Sequence, residues 1–262
     1  HACEKRRSHR RMGQRMRAVC LATALCEVAL QSCTRTGPAR SRGEQASGQI
    51  RARYAGVGLA PDDRDSHADW DHGALVVAQN PSDARNSPLI ASAVSRLVYD
   101  CNRPPEAPSA MPAKSELVDV PGNKDLTKAQ RQERVDTVYT PFCAAVTAQI
   151  IAQKPEILIT MHSFTPVYYG KPRACEIGIL HDDDTRLADV MLAHTHLIPH
   201  LRVERNVPYG PEDGVTHSLK LHGLGHSLPN VMIEIRNDLL ATPDQHNAMA
   251  GDTLRRTLQF TT

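Results

Sequence analysis

Three groups of residues in this chain have the types and spacing to do chemistry. In Ser95-Arg-Leu-Val-Tyr-Asp-Cys-Asn-Arg-Pro-Pro105, the side chains of Arg96, Asp100, Asn102 and Arg103 crowd into one short stretch. An amide beside a planar guanidinium grips a carboxylate at two points, although an isolated Asn-Arg pair serves equally well as a turn cap and a salt bridge. His162 and Ser163 follow the apolar run Glu156-Ile-Leu-Ile-Thr-Met161. The C-terminal end of a strand is where open α/β sheets put their ligands; a partly buried histidine bonded to a loop is the blander alternative. Glu234 stands inside the apolar segment Met232-Ile-Glu-Ile-Arg-Asn237. A carboxylate there is costly unless it is paired or used for acid–base work. Strand alternation puts Arg236 on the same face, which fits either a site or a bridge.

These residues need strand ends and loops to hold them. Val94 to Asp100, Glu156 to Met161, Cys175 to Leu180 and Val231 to Arg236 read as strands. Thr127 reads as the N-cap of a helix whose apolar positions Val135, Val138, Phe142, Val146 and Ile150 recur at three and four residues. Pro141 should interrupt it. Asp184 to Leu197 and Asp244 to Phe260 read as further helices, and the polar segment Asn80 to Pro88 as a loop. The alternation is that of an α/β sheet protein.

At 262 residues and 40% hydrophobic content the chain can bury one full core. Aromatic residues make up only 4%, which argues against single-stranded nucleic-acid binding by stacking. Residues 1 to 53 hold twelve Lys/Arg against three Asp/Glu, leaving nineteen against twenty-six for the remainder. The basic character is therefore N-terminal, in the manner of a solvated extension. Arg6 to Arg17 followed by Ala18 to Leu30 has the order of a signal peptide, but Glu27 breaks the apolar run and twelve or so residues are too few to cross a bilayer. Seven cysteines at irregular spacing, without a CxxC pair, suggest neither a disulfide framework nor a zinc knuckle and fit a reducing cytoplasm. Neither nucleic acid nor membrane is expected as a partner. No GxGxxG or GxxxxGK[ST] phosphate loop is present.

The Asp-x-Asn-Arg-Pro string resembles the carboxylate-binding element of zinc carboxypeptidases and aspartoacylases. The longer segment from Ser95 is similar to the corresponding part of the N-formylglutamate amidohydrolase family. Further similar strings follow in order: Ser66 to Ala74, Val120 to Asn123, Tyr139 to Phe142, Met161 to Pro166, Val207 to Tyr209 and Ile233 to Arg236. This resemblance implies a three-layer αβα sandwich of the phosphorylase/hydrolase type with a mixed central sheet, spanning residues 43–262 and leaving 1–42 as an extension. It also implies zinc as cofactor, with a metal-activated water attacking an N-acyl bond. His162 would be a metal ligand, Glu234 the acid–base residue, and Arg96, Asn102, Arg103 and Arg236 the grip on a small substrate carrying carboxylates.

The chain departs from the family in Gly43-Glu-Gln-Ala-Ser-Gly-Gln-Ile-Arg-Ala-Arg-Tyr54. Gln45 stands where the resemblance implies a metal-ligating His, and Gly48 where it implies Asn. Glutamine is a weak neutral ligand and glycine offers no side chain, so zinc affinity is expected to fall. Glu44 and Asp71 are candidate oxygen ligands in compensation. Cys143 replaces another expected His and reads as a small packed hydrophobe. Two readings stay open: an amidohydrolase acting on N-formyl-L-glutamate or a similar N-acyl acidic amino acid, and an impaired member that binds a carboxylate ligand without turnover.

Overall fold

The computed structural model describes residues 18–22, 53–60, 71, 73–85, 88–92 and 94–250. Among them a six-stranded sheet is built from β1 (Ala18–Ala22), β2 (Leu89–Ala91), β3 (Ile157–Phe164), β4 (Ile177–Leu180), β5 (Val203–Arg205) and β6 (Asn230–Arg236), in the order β2-β1-β3-β6-β4-β5. β4 runs antiparallel to β6, and every other pairing is parallel, so the sheet is mixed.

The pleat divides the side chains between two layers. Ile157, Ile159 and Met161 of β3, Ile177 and Ile179 of β4, and Val231, Ile233 and Ile235 of β6 form one core cluster. Residues from α1 (Ala74–Arg85), α3 (Arg186–Ala193) and the segment ending α4 (Pro243–Ala248) join it, including Val77, Ala78, Leu187, Met191 and Met249. The opposite parity of β3 turns Leu158 toward α2 (Lys128–Gln153), where Phe142, Val146 and Ile150 pack. Leu180 and Met232 face the same side, against Val215 and Leu219. Burying side chains of this size stabilises the fold by about 1.5–3 kcal/mol each. The same parity carries Thr160, His162 and Glu234 away from the first cluster.

α2 starts where the sequence indicates: the Thr127 hydroxyl accepts from the Gln130 N–H at 3.2 Å, and the Gln130 side chain accepts from the Thr127 N–H at 2.9 Å. The interruption expected at Pro141 takes the form of a π turn over Val135–Tyr139, just before it. By length and composition α2 is apolar enough to cross a membrane, and here its Val138, Phe142, Val146 and Ile150 are buried in the core.

Several expectations are corrected. Val94 to Asp100 is not a strand: the Ser95 carbonyl accepts from the N–H groups of Val98 and Tyr99 at 2.9 and 3.2 Å, and its hydroxyl from that of Leu97 at 3.0 Å. Serine thus folds the segment into a turn, and the strand lies earlier, at Leu89–Ala91. The expected loop from Asn80 is instead a continuation of α1 to Arg85, carried by the packing of Val77 and Ala78. The third helix is shorter than expected, with a separate 3₁₀ turn at Thr195–Leu197. Placing all of 1–42 outside the domain fails for Ala18–Ala22, an inner strand paired with both β2 and β3. Apolar runs of this kind suit a strand with parallel neighbours on both sides.

Candidate active site

β3 and β6 are adjacent and parallel, and their register sets Glu234 directly beside His162. Both are buried, at 5% and 6% exposure, so their polar groups must be answered within the protein or by a ligand. Asp71, three residues before α1 begins at Ala74, supplies part of the answer. Its Oδ2 lies 2.9 Å from His162 Nδ1, and its Oδ1 lies 3.6 Å from an Arg96 Nη1. Arg96 also reaches Asp100 Oδ2 at 3.3 Å. The turn built on Ser95 aims both of these residues at the sheet, and the Asn102 N–H donates to Asp100 Oδ1 at 2.9 Å.

These groups line a cavity of about 420 Å³ together with Asn102, Arg103, Ser163, Tyr168, Arg173 and Tyr209. Arg103 donates through Nη1 to the carbonyls of Asn102 and Gly214, both at 3.0 Å, and its buried Nε has no hydrogen-bond partner among the described residues. Arg173 leans on the rings of Tyr168 and Tyr209, 4.2 and 4.8 Å from their centroids, and donates to the Tyr209 hydroxyl at 3.0 Å.

Electrostatics distinguish the acids. Burial pushes Glu234 up to about 7; His162 and Arg96 pull against that, and Asp71 adds to it. One of its oxygens, Oε2, is buried without a hydrogen-bond partner among the described residues. Burial also acts on Asp100, but Arg96, Arg103 and the Asn102 N–H outweigh it and hold that carboxyl below its usual range. Burial works against a charged His162, yet the hydrogen bond and charge of Asp71 raise its pKa overall. Burial, then Glu234, pushes the Tyr209 hydroxyl up to about 12. The site therefore holds one carboxyl poised to exchange a proton near neutrality beside Asp100, whose carboxyl is held ionised.

Of the residues singled out in the sequence, Asp71, Arg96, Asn102, Arg103, His162 and Glu234 come together here. Asn102 has a different role from the one expected. Its amide nitrogen donates to the Val215 carbonyl and its oxygen accepts from the Ser218 N–H at 2.9 Å, so both ends are committed within the chain. Arg236 does not line the cavity. It is held by Glu176 at 3.2 Å and Asp238 at 2.8 Å, because those carboxylates reach it from flanking loops. Glu44, Gln45 and Gly48 lie outside the described residues. Cys143 packs in the second core cluster beside Tyr139, in line with a small hydrophobe. Arg173, Tyr168 and Tyr209 also line the cavity, and the sequence does not single them out as site residues. Tyr209 belongs to a string noted for its resemblance, whereas nothing around Lys171-Pro-Arg173 signals a site.

A carboxylate on one imidazole nitrogen is a common support for a metal-ligating histidine. With Asp71 on Nδ1, a metal at His162 would be taken by Nε2. Among the described residues, no three His, Cys, Asp or Glu side chains gather as a metal site. They offer His162 and the unpartnered Glu234 oxygen, short of the three protein donors a catalytic zinc uses.

The family model for N-formylglutamate amidohydrolase matches residues 43–241. The crystal structure of the gene product Atu2144 from Agrobacterium tumefaciens is 45% identical, with a TM-score of 0.77 over 94% of this chain and 90% of that one. A crystal structure of an N-formylglutamate amidohydrolase from Ralstonia eutropha JMP134 is 18% identical, with a TM-score of 0.53 over 95% of this chain and 94% of that one, a likeness of fold. No curated protein matches the chain.

Proposed function

Because the chain belongs to the N-formylglutamate amidohydrolase family, we propose that it hydrolyses the N-acyl bond of N-formyl-L-glutamate or of a similar N-acyl acidic amino acid. The products are the carboxylic acid and the free amino acid. The observation that carries this reading is Glu234: a buried carboxyl near neutrality with one unanswered oxygen, register-paired with His162 in a cavity that also contains arginines.

In this mechanism Glu234 accepts a proton from the attacking water as the new C–O bond forms. It then delivers that proton to the amide nitrogen as the C–N bond breaks, so the amine leaves neutral. His162, charged or hydrogen-bonded through Asp71, faces the same reacting centre. Arg103 holds a substrate carboxylate, and Arg96, bracketed by Asp71 and Asp100, ties the Asp71–His162 pair to the turn that carries Arg103. Zinc is the cofactor proposed with this reading. When bound it supplies an acidified water and polarises the acyl oxygen, with His162 as the described nitrogen donor. A small-molecule substrate in a reducing cytoplasm suits Cys101, Cys143 and Cys175, which are free thiols among the described residues.

The decisive measurement is formate release from N-formyl-L-glutamate by the purified protein with and without added zinc, alongside its metal content. Release that is lost in Glu234→Gln supports the reading. Gln45 and Gly48 favour a second one, a carboxylate-binding member without turnover. That alternative gains if no formate appears with zinc and Gln45→His with Gly48→Asn restores it. An inert double variant rules out position 45 as the lost ligand.

A further inference from the structure

The three guanidinium groups of the cavity differ in what answers their charge. Arg96 is matched by Asp71 and Asp100. Among the described residues Arg103 donates to backbone oxygens, and Arg173 meets the Tyr209 hydroxyl at 3.0 Å and the Thr165 carbonyl at 3.4 Å. Among the described residues no carboxylate lies within ion-pairing distance of either. Ring faces make a cation cheaper to hold without neutralising it. Two cations without an ion-pairing carboxylate among the described residues, in one cavity of about 420 Å³, suit a ligand with two anionic groups.

Arg173 is also held in place in advance. A short hairpin of Val167–Tyr168 and Lys171–Pro172 carries it over the strand ends, and its N–H closes the hairpin on the Pro166 carbonyl at 2.8 Å. Its own carbonyl accepts from Arg236 Nη1 at 3.1 Å, while Glu176 and Asp238 clamp Arg236. Arg236 thus fixes the backbone of Arg173. With the ring of Tyr168 beside the guanidinium, little conformational freedom is left to lose on binding.

We infer that Arg173 is a specificity-determining residue: it takes the side-chain carboxylate of the substrate while Arg103 takes the other, so the cavity selects N-acyl dicarboxylic amino acids over neutral ones. This rests on the amidohydrolase reading above, and the test separates the two.

Formate release is measured for wild type and Arg173→Met on N-formyl-L-glutamate and on N-formyl-L-norvaline, which keeps the α-carboxylate but has an uncharged side chain. Binding of glutarate and of butyrate is followed by calorimetry. The ratio of kcat/KM for the acidic over the neutral substrate should fall about 10- to 100-fold, chiefly through KM, and glutarate affinity by a similar factor. Arg173→Lys keeps the charge but loses the planar fork, and should lower the ratio by about threefold or more. It decides the matter if thermal melts show that Arg173→Met does not fold. An equal loss on both substrates, or undiminished preference for glutarate over butyrate, overturns the assignment. If wild type releases no formate from either compound the amidohydrolase reading fails, and the glutarate and butyrate titrations alone then decide the role of Arg173.

Discussion

Glu234 stands beside His162 in parallel register, on the face of the sheet opposite the larger apolar core cluster. Two ionisable side chains meet there because each occupies an even position of a strand whose odd positions, Ser163 apart, are Ile, Val or Met. That placement gives Glu234 both its burial and its proton affinity. Glu234→Gln is expected to keep the shape of the site and lower kcat by about 10²- to 10⁴-fold. In the wild type, kcat/KM should fall as pH drops below about 7, where Glu234 takes up its proton. A rate profile flat from pH 5 to 8 would remove Glu234 from the proton transfer.

The same residue makes stability depend on pH. Its pKa in the folded protein is about 7 against an ordinary 4.5, so the folded state binds this proton more tightly than the unfolded chain does. The contribution is fully present below about pH 4.5 and is lost as pH rises through about 7. The raised pKa of His162 acts in the same sense, its contribution present below 6.5 and lost at higher pH. Urea unfolding at a series of pH values should show stability falling across this window. Glu234→Gln should flatten the fall by on the order of 3 kcal/mol.

Asp71 orients His162 through Nδ1 and balances Arg96. Asp71→Asn preserves the volume but removes the charge. Activity and any metal affinity are expected to fall about 10- to 100-fold. The His162 titration, followed by NMR, should move to lower pH. An unchanged titration would show that Asp71 does not govern the imidazole.

Asn102 joins the turn that carries Asp100 and Arg103 to the loop at Val215 and Ser218. Asn102→Ala leaves a buried carbonyl and N–H unanswered, and should cost about 1–3 kcal/mol in urea unfolding. A residue that only touched substrate would leave the midpoint in place.

Gly178 faces Glu234 across β4 and β6, and the Val207 carbonyl passes over it. A Cβ at 178 would lie 2.1 Å from that oxygen, so the loop leading to Tyr209 has room only because the side chain is absent. Gly178→Ala should destabilise the protein by about 1–3 kcal/mol and raise KM by displacing Tyr209. Unaltered melting and KM would show that the loop can move aside freely.

The helix over Val135 to Ile150, the strands at Glu156 and Val231, and the chemical promise of His162 and Glu234 were all legible in the chain. They depend on local rules: the spacing of apolar side chains, a capping threonine, and the cost of a carboxylate in an apolar strand. The turn at Ser95 has the hydrophobic pattern of a strand, because a serine hydroxyl and carbonyl competing for nearby N–H groups leave no trace in that pattern.

The sequence by itself determined the α/β alternation and the side of each strand on which polar residues fall, since pleat and helix period act between close neighbours in the chain. The tertiary structure alone decided which arginine enters the cavity. Arg236 shares a strand face with Glu234, yet Glu176 and Asp238 claim it, and Arg173 arrives from a hairpin that no local pattern marks. The partner of a long cationic side chain is set by whichever acid or ring lies nearest in space, and that neighbour can come from sixty residues away, as Glu176 does for Arg236.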